Sequence, residues 1–216
     1  MSAFAVSIAL RNGSRVQVRE DASSSWEGGG VWPPAPILVE LLDAGQLISA
    51  EELARMTVLE CGAGCGLVGL AAALLGAKQV LLTDLPVGTC HLLANAAANG
   101  YTVESNDVVA VAALDWSADC QPLLAQQFDL VLASECIYDA DMVIPLLKTC
   151  NRACAPGGVL LLAGIIGGAA VDEFRRQWPK YFRSCVALEG ADGLDSPPVS
   201  RAIHRITGPL AHTSSS

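Results

Sequence analysis

The chain has 216 residues, a length that predicts one α/β domain with room for a sizeable hydrophobic core. Its formal net charge is −9 and its pI is about 4.7, which argues against a nucleic-acid partner because such partners select basic surfaces. The longest apolar run, residues 157–171, is shorter than the roughly 20 residues that a membrane span needs, so we expect no membrane association.

The spacing of the cysteines and histidines indicates the cellular compartment of the protein and whether it binds a metal. The eight cysteines lie in apolar contexts without a C-x-x-C pair, which is typical of reduced core thiols in an intracellular protein. Residues 1–10 lack the basic start and long apolar core of a signal peptide. The three histidines are scattered. We therefore predict a cytoplasmic protein, with nuclear residence as an addition, and no metal site.

The first 30 residues predict a hairpin followed by a flexible approach. Apolar and polar residues alternate on both sides of Asn12-Gly13, a dipeptide typical of hairpin turns. Residues 21–30 are polar and rich in glycine. Three prolines then delay regular structure until a helix from about residue 37, and they hold Trp32 in a stiff segment just before it.

The next stretch predicts a strand, a glycine-rich loop and a helix, an arrangement that suits a nucleotide-like ligand. Two patterns overlap in it. Gly64-x-Gly66-x-x-Gly69 matches the dinucleotide fingerprint, whose aligned N–H groups favour a pyrophosphate. The second pattern, Glu60-x-Gly62-x-Gly64-x-Gly66, begins four residues before Gly64, with a carboxylate at the strand end. That charge would repel a pyrophosphate and suits the cationic amino group of a methionine moiety.

The second buried strand ends at Asp84, and in nucleotide-binding sheets an acid at this place accepts both ribose hydroxyls with its two oxygens. A helix is predicted to follow over residues 87–99. Its apolar side chains, Leu93 among them, are predicted to face the sheet, with Asn95 and Asn99 facing solvent.

Two further strand ends carry polar and aromatic residues. Asp115-Trp116 follows one strand, where an acid can accept from an adenine amino group and an indole can cover the adenine. Residues 128–134 form the fourth core strand, which stops at Ser134-Glu135, with Tyr138 close behind. Ligands in open parallel sheets bind outside the carboxyl ends of the strands, so chemistry is expected at this edge. A fifth strand and two closing strands complete the predicted sheet.

Several of these stretches, in order between about residues 30 and 140, together resemble methyltransferase family 16, a group of class I S-adenosylmethionine (AdoMet) methyltransferases that are largely protein lysine methyltransferases. The stretches are Val31-Trp32-Pro33, residues 59–66, Leu82-Thr83-Asp84-Leu85, Leu114-Asp115-Trp116 and Ser134-Glu135-x-x-Tyr138. Cys61 and Cys65 depart from the more usual Leu and Thr of the family loop, and the region after Gly164 matches loosely.

The resemblance implies an α/β fold with a Rossmann-like seven-stranded sheet, mostly parallel with an antiparallel closing strand, helices on both faces and the short N-terminal hairpin in addition. We divide the chain into residues 1–30 for the hairpin and approach, residues 31–207 for the methyltransferase domain, and residues 208–216 for a disordered tail.

The resemblance also implies AdoMet as cofactor and S-adenosylhomocysteine (AdoHcy) as product. Glu135 and Tyr138 would line the acceptor channel as catalytic residues. The implied cofactor-binding residues are Trp32, Glu60, Gly62, Ala63, Gly64, Gly66, Asp84, Asp115, Trp116 and Ser134.

The predicted function is methyl transfer from AdoMet to a protein, on a lysine side-chain amine, by a monomer whose acidic surface favours a basic partner. A small-molecule N- or O-methyltransferase is an alternative, although about thirty N-terminal residues give little lid for a closed pocket. A non-catalytic AdoMet-binding module stays open as well. Glu60 and the lack of a Tyr-x-x-x-Lys set disfavour a dinucleotide oxidoreductase. The two prolines that follow this strand end in nucleic-acid amino methyltransferases are absent.

Overall fold

The computed structural model describes residues 6–21, 26–102, 108–118, 123–164, 168–188 and 203–210. Two strands form an N-terminal hairpin, β1 (Val6–Ala9) and β2 (Arg15–Val18). The other strands form one sheet: β3 (Thr57–Cys61), β4 (Gln79–Asp84), β5 (Val109–Ala113), β6 (Phe128–Ser134), β7 (Cys154–Ala163), β8 (Phe182–Leu188) and β9 (Ile203–Pro209).

The α-helices alternate with the strands of the large sheet over most of the chain. They are α1 (Pro34–Asp43), α2 (Ala50–Leu53), α3 (Leu67–Leu74), α4 (Thr89–Ala98), α5 (Ala140–Ala153) and α6 (Ala169–Gln177). Short 3-10 turns cover Glu27–Gly29, Pro86–Gly88, Leu123–Ala125 and Trp178–Lys180. Within the described ranges, none of the helices has the length and apolarity to cross a membrane.

The large sheet has seven strands in the order β5-β4-β3-β6-β7-β9-β8. Neighbouring strands pair in parallel except at β9, which runs antiparallel to both β7 and β8. The predicted fold class is confirmed. The chain leaves β3 in one direction along the sheet and returns on its other side at β6, and ligands bind in such sheets at the crevice where the strand order reverses.

Two hydrophobic cores lie on the two faces of this sheet. Alternate residues of β3 point to opposite faces, so that Val58 packs with α1, α3 and the hairpin while Leu59 packs with α5 and α6. The central strands are buried on both faces, which is why they are almost continuously apolar in sequence. The helices thus cover the sheet on both sides and leave its carboxyl-terminal edge to the loops.

The hairpin shares a core with the main domain. Val16 and Val18 are completely buried, and they belong to the same cluster as the buried residues of α3. The division of the chain at residue 30 stays a prediction. Part of the predicted flexible approach, residues 22–25, and most of the predicted tail, residues 211–216, lie outside the described residues.

The cysteines of the described ranges are free thiols. Most are buried, as predicted, but Cys90 on α4 is exposed, because that helix turns this position toward solvent. Cys120 lies outside the described residues. No group of three or more His, Cys, Asp or Glu side chains in these ranges is arranged to hold a metal ion.

The orientation predicted for α4 is correct for Leu92, which is buried, but wrong for Leu93 and Asn95. Asn95 is buried with 1% of its surface exposed, whereas Leu93 is 38% exposed. The reason is the free edge of β2, which lies against this helix. The Asn95 side chain accepts from Arg19 N (3.0 Å) and donates to Arg19 O (3.1 Å), and Asn99 makes the same pair with Gln17 at 2.9 and 2.6 Å.

The two amides therefore take the place of a third strand in the hairpin. Side chains four apart lie on one helix face, and strand residues two apart direct their peptide groups to the same side, so the spacings match. The Asn95 amide donates in addition to Cys65 O at 2.9 Å, which ties the hairpin exit to the glycine-rich loop.

Replacing Asn95 with Ala is expected to lower the free energy of unfolding by about 2–3 kcal/mol, because it removes the hydrogen bonds of a buried amide to backbone groups of Arg19 and Cys65. Urea denaturation followed by circular dichroism measures the effect. The control is Leu93→Ala, an exposed position on the same helix, where we expect a change within about 0.5 kcal/mol. Equal losses in both variants would contradict the prediction.

Candidate active site

The glycine-rich loop between β3 and α3 is built from left-handed backbone. Gly62, Gly64 and Gly66 have φ values of 62°, 55° and 80°, a region that strongly favours glycine. A Cβ on Gly62 would lie 2.9 Å from the Trp116 ring, and one on Gly64 would lie 2.9 Å from the carbonyl oxygen of Gly28. The first two glycines are therefore required by their neighbours as well as by φ.

Glu60, at the end of β3, is a buried carboxylate with 2% of its surface exposed. Its Oε2 accepts from the N–H of Gly69 at 2.8 Å, in the first turn of α3, where backbone donors have no partner within the helix. A side chain at Gly69 would collide with this oxygen. Burial, with the charge of Asp84 as a smaller cause, raises the pKa of Glu60 to about 8.

Asp84, at the end of β4, is a second buried carboxylate, 7% exposed. Its Oδ2 accepts from Gly64 N at 2.8 Å, and its Oδ1 accepts from Leu85 N at 2.7 Å and from the indole Nε1 of Trp26 at 3.1 Å. Burial raises the pKa of Asp84 above its usual value, although all three hydrogen bonds oppose that change.

A cavity of about 430 Å³ opens at this edge of the sheet. The structure brings ten predicted site residues together along its wall: Trp32, Glu60, Gly62, Ala63, Gly64, Asp84, Trp116, Ser134, Glu135 and Tyr138. They come from the ends of β3, β4 and β6, from the segment after β5 and from the approach to α1, because parallel strands place their carboxyl ends at one edge.

Two predicted residues lie outside the cavity wall. The Asp115 carboxylate accepts from the N–H and hydroxyl of Ser117 at 2.9 and 2.7 Å, and these bonds lower its pKa. Gly66 directly precedes α3 as its N-cap, and a Cβ there would meet the side chain of Leu92 at 2.9 Å, so its visible role is packing. A cofactor contact for either residue stays a prediction.

Several lining residues were not predicted from the sequence, among them Trp26, Glu27, Leu114, Cys136 and Met142. Trp26 is the most consequential, because it contacts Asp84 directly. The available signal was a tryptophan inside an otherwise polar, glycine-rich stretch. A large aromatic residue in such a setting normally has a partner elsewhere in the fold.

The wall at the end of β6 contains a strained residue. Glu135 has φ of 57°, the one positive value among the described non-glycine residues. Its carboxylate lies against Gly164 and leaves no room for a side chain there. Its Oε2 is buried without a hydrogen-bond partner in the described ranges, and burial raises the pKa of Glu135 to about 7.

Exposed aromatic residues surround the mouth of the cavity. Tyr138 is 61% exposed and Trp32 is 51% exposed. The Trp32 indole donates to the carbonyl oxygen of Glu27 at 3.1 Å, which fixes the ring beside the opening. Isolated exposed aromatics are ordinary, but two at one opening are typical of a surface that meets another molecule.

Comparison with known proteins identifies the family. Residues 10–173 match a family model described as lysine methyltransferase. The chain belongs to the lysine methyltransferase family. The resemblance predicted from the sequence motifs is thereby confirmed.

Two mouse relatives support this assignment. The chain is 36% identical over 148 residues to mouse protein N-lysine methyltransferase METTL21A, a match covering 68% of this chain and 65% of the relative. It is 35% identical over 154 residues to mouse EEF1A lysine methyltransferase 3, covering 70% of this chain and 63% of the relative. The chain thus spans slightly less than two thirds of the length of these curated relatives.

Solved structures of more distant methyltransferases share the fold. The T. thermophilus 16S rRNA N2 G1207 methyltransferase, in complex with AdoMet and guanosine, has a TM-score of 0.66 at 19% identity, over 93% of this chain and 49% of that one. A ribosomal protein L11 methylase from Lactobacillus delbrueckii has a TM-score of 0.57 at 20% identity, over 88% and 84%. These likenesses concern architecture alone.

The cavity of this lysine methyltransferase family member fits AdoMet, the family's cofactor. The indole Nε1 of Trp116 and the hydroxyl of Ser134 are buried without hydrogen-bond partners in the described part of the chain, so both are available to a polar ligand. The glycine loop lets a ligand approach the backbone closely. Two buried carboxylates, Glu60 and Asp84, match the ammonium and the ribose diol of AdoMet.

The raised pKa of Glu60 predicts that the stability of the protein depends on pH. Folding favours the protonated form, because the folded pKa of about 8 exceeds the ordinary value of 4.5. The free energy of unfolding should therefore fall as pH rises through this interval. Glu60→Gln keeps an acceptor for Gly69 and removes the titration, so we expect it to raise Tm at pH 8.5 by about 5 °C relative to the wild type.

Differential scanning fluorimetry between pH 5 and pH 9 tests this expectation. The matched control is Glu40→Gln, on the exposed face of α1, whose pH profile should follow the wild type. A Glu60→Gln profile that also parallels the wild type over the whole range would contradict the prediction.

Proposed function

We propose that this protein uses AdoMet to methylate a lysine side-chain amine of a protein substrate. The observation that carries the proposal is the position of Glu135, a partly buried carboxylate at the mouth of a cavity whose inner end fits the cofactor. The names of the mouse relatives, both protein lysine methyltransferases, support the acceptor class.

The inner half of the cavity holds and orients the cofactor. The Gly62-Ala63-Gly64 backbone, the Asp84 carboxylate and the Trp116 indole surround one continuous space with Glu60 at its base. AdoMet, when bound, supplies a methyl group on a sulfonium that an amine displaces in line, leaving AdoHcy. The protein then contributes mainly proximity and alignment, which can amount to about 7–11 kcal/mol of the barrier.

The outer half receives the acceptor amine. A lysine amine attacks only as the free base, and its ordinary pKa is about 10.4, so the site has to accept its proton or favour its release. With a pKa of about 7, Glu135 is about half ionised at neutral pH and can accept a hydrogen bond from the amine. Tyr138 offers an exposed ring face to the cation as it arrives.

The charges around the mouth suit a basic protein segment. Glu27 and Asp139 are exposed and lie close enough to Tyr138 to raise its pKa, behind burial as the main cause. Trp32, Tyr138 and Leu85 add exposed apolar surface beside these carboxylates. A lysine with basic neighbours would meet complementary charge on approach, which mainly increases the association rate.

We further propose a monomer in the cytoplasm, with nuclear residence as an addition, and no nucleic-acid or membrane partner. The free thiols of the described ranges are consistent with a reducing compartment. The net charge of −9 is unfavourable for contact with phosphate backbones.

Transfer of radiolabelled methyl from AdoMet to proteins of a cell extract tests the proposal. Glu135→Gln is expected to lower the rate about 100-fold, the effect of removing a positioned proton acceptor, while AdoHcy binding measured by calorimetry stays near the wild-type value. Asp141→Asn, an exposed carboxylate in the first turn of α5, is the matched control and should keep full activity.

Two results would count against the proposal in different ways. Label that enters only small molecules would favour a small-molecule methyltransferase. Binding of AdoHcy without any transfer, in the wild type as well as in the variant, would favour a non-catalytic AdoMet-binding module.

The pKa of Glu135 predicts a pH dependence. The ionised carboxylate is the form that accepts the amine hydrogen, so the initial rate should fall as pH drops through about 7. In Glu135→Gln this inflection should disappear, whereas a rise near the lysine pKa should remain. Initial rates with a purified substrate between pH 5.5 and pH 9.5 measure both. An inflection near pH 7 that persists in the variant would show that another group causes it.

A further inference from the structure

The hydrogen bonds of Asp84 are nearly complete within the protein itself. A carboxylate has about four acceptor positions, two on each oxygen. Oδ1 accepts from Leu85 N and from Trp26 Nε1, and Oδ2 accepts from Gly64 N. One position therefore remains, on Oδ2. A ribose diol that donates both hydroxyls to Asp84 needs two.

Of the three donors, Trp26 is the one that can leave. Leu85 N belongs to the turn that directly follows β4, and Gly64 N belongs to a loop that is bonded to β4 by Ala63 N→Thr83 O at 2.8 Å. Both donors are backbone groups in the centre of the fold. Trp26 donates through a side chain, from a segment that approaches the cavity from outside the sheet.

The slot that holds the Trp26 ring is made of two glycines. A Cβ on Gly28 or on Gly88 would collide with the six-membered ring of the indole. The ring of His91 lies edge-on, with centroids 6.2 Å apart. Gly88 has a φ of −84°, which any residue adopts, so backbone conformation does not require glycine there. The space it leaves is taken by Trp26.

We propose that Trp26 and the ribose diol of the cofactor compete for Asp84, so that the indole has to leave its slot before the cofactor binds fully. This inference rests on the proposed function, since it assumes that Asp84 receives the ribose of AdoMet. The exchange replaces one N–H donor with two O–H donors on a buried carboxylate, and a desolvated charge gains from each additional donor. Without cofactor, Trp26 thereby occupies one acceptor position of the Asp84 carboxylate, and this lowers the apparent cofactor affinity.

Calorimetric titration with AdoHcy tests the competition. Trp26→Phe keeps an aromatic ring for the slot and removes the N–H donor, so we expect binding about tenfold tighter than in the wild type, as for one lost competing hydrogen bond to a charged group. Gly88→Ala displaces the indole without altering it and should also tighten binding. The matched control is Trp178→Phe, a tryptophan that does not line the cavity, with unchanged affinity.

Unchanged or weaker binding in both Trp26→Phe and Gly88→Ala would overturn the competition while leaving AdoHcy as the ligand. A wild type and variants that all fail to bind AdoHcy would instead overturn the proposed cofactor, and with it this inference. Fluorine NMR of the wild-type protein labelled with 5-fluorotryptophan gives an independent readout. The H2O/D2O isotope shift of the Trp26 resonance should increase when AdoHcy is added, because the half-buried ring becomes more exposed, and an unchanged shift would contradict the proposal.

Discussion

The candidate site depends on one buried carboxylate. Asp84 joins the end of β4, the glycine-rich loop and the N-terminal approach through Leu85, Gly64 and Trp26, at distances between 2.7 and 3.1 Å. A carboxylate at such depth is stable only with donors around it, and these donors come from three separate parts of the chain. The same contacts that oppose the rise in the pKa of Asp84 therefore bring the walls of the cavity together.

Glu60 adds a second acid to the same low-dielectric region, and the two carboxylates affect each other. The charge of Asp84 contributes to the raised pKa of Glu60, behind burial. Opposing this, the N–H of Gly69 holds one oxygen of Glu60 at the start of α3. The two acids thus have few positive charges near them among the described residues. A ligand with a cationic amino group and hydroxyl donors stabilises their ionised forms. AdoMet has both groups.

Most of the site followed from the sequence because parallel strands end at one edge. Glu60, Asp84 and Ser134 lie within one residue of the carboxyl end of a buried strand, so their proximity needed no knowledge of side-chain packing. Trp26 and Asn95 could not be placed in this way. The slot for Trp26 is made by Gly28 and Gly88, far apart in the chain, and Asn95 is buried because a free strand edge needs its amide. Helical periodicity marks a polar residue as exposed and carries no information about such an edge.

The two halves of the cavity are built by different physical means, and this difference bears on specificity. The cofactor half is closed by backbone donors and glycines, which accept little variation in ligand shape. The proposed acceptor half consists of Glu135 against Gly164, with the exposed ring of Tyr138 beside it. Trp32 and Tyr138 line the same cavity and are exposed, so a long, thin group suits the approach to the Glu135 carboxylate better than a bulky one. A lysine side chain has this shape, and its cationic end matches the Glu135 carboxylate, whose Oε2 is buried without a hydrogen-bond partner in the described structure.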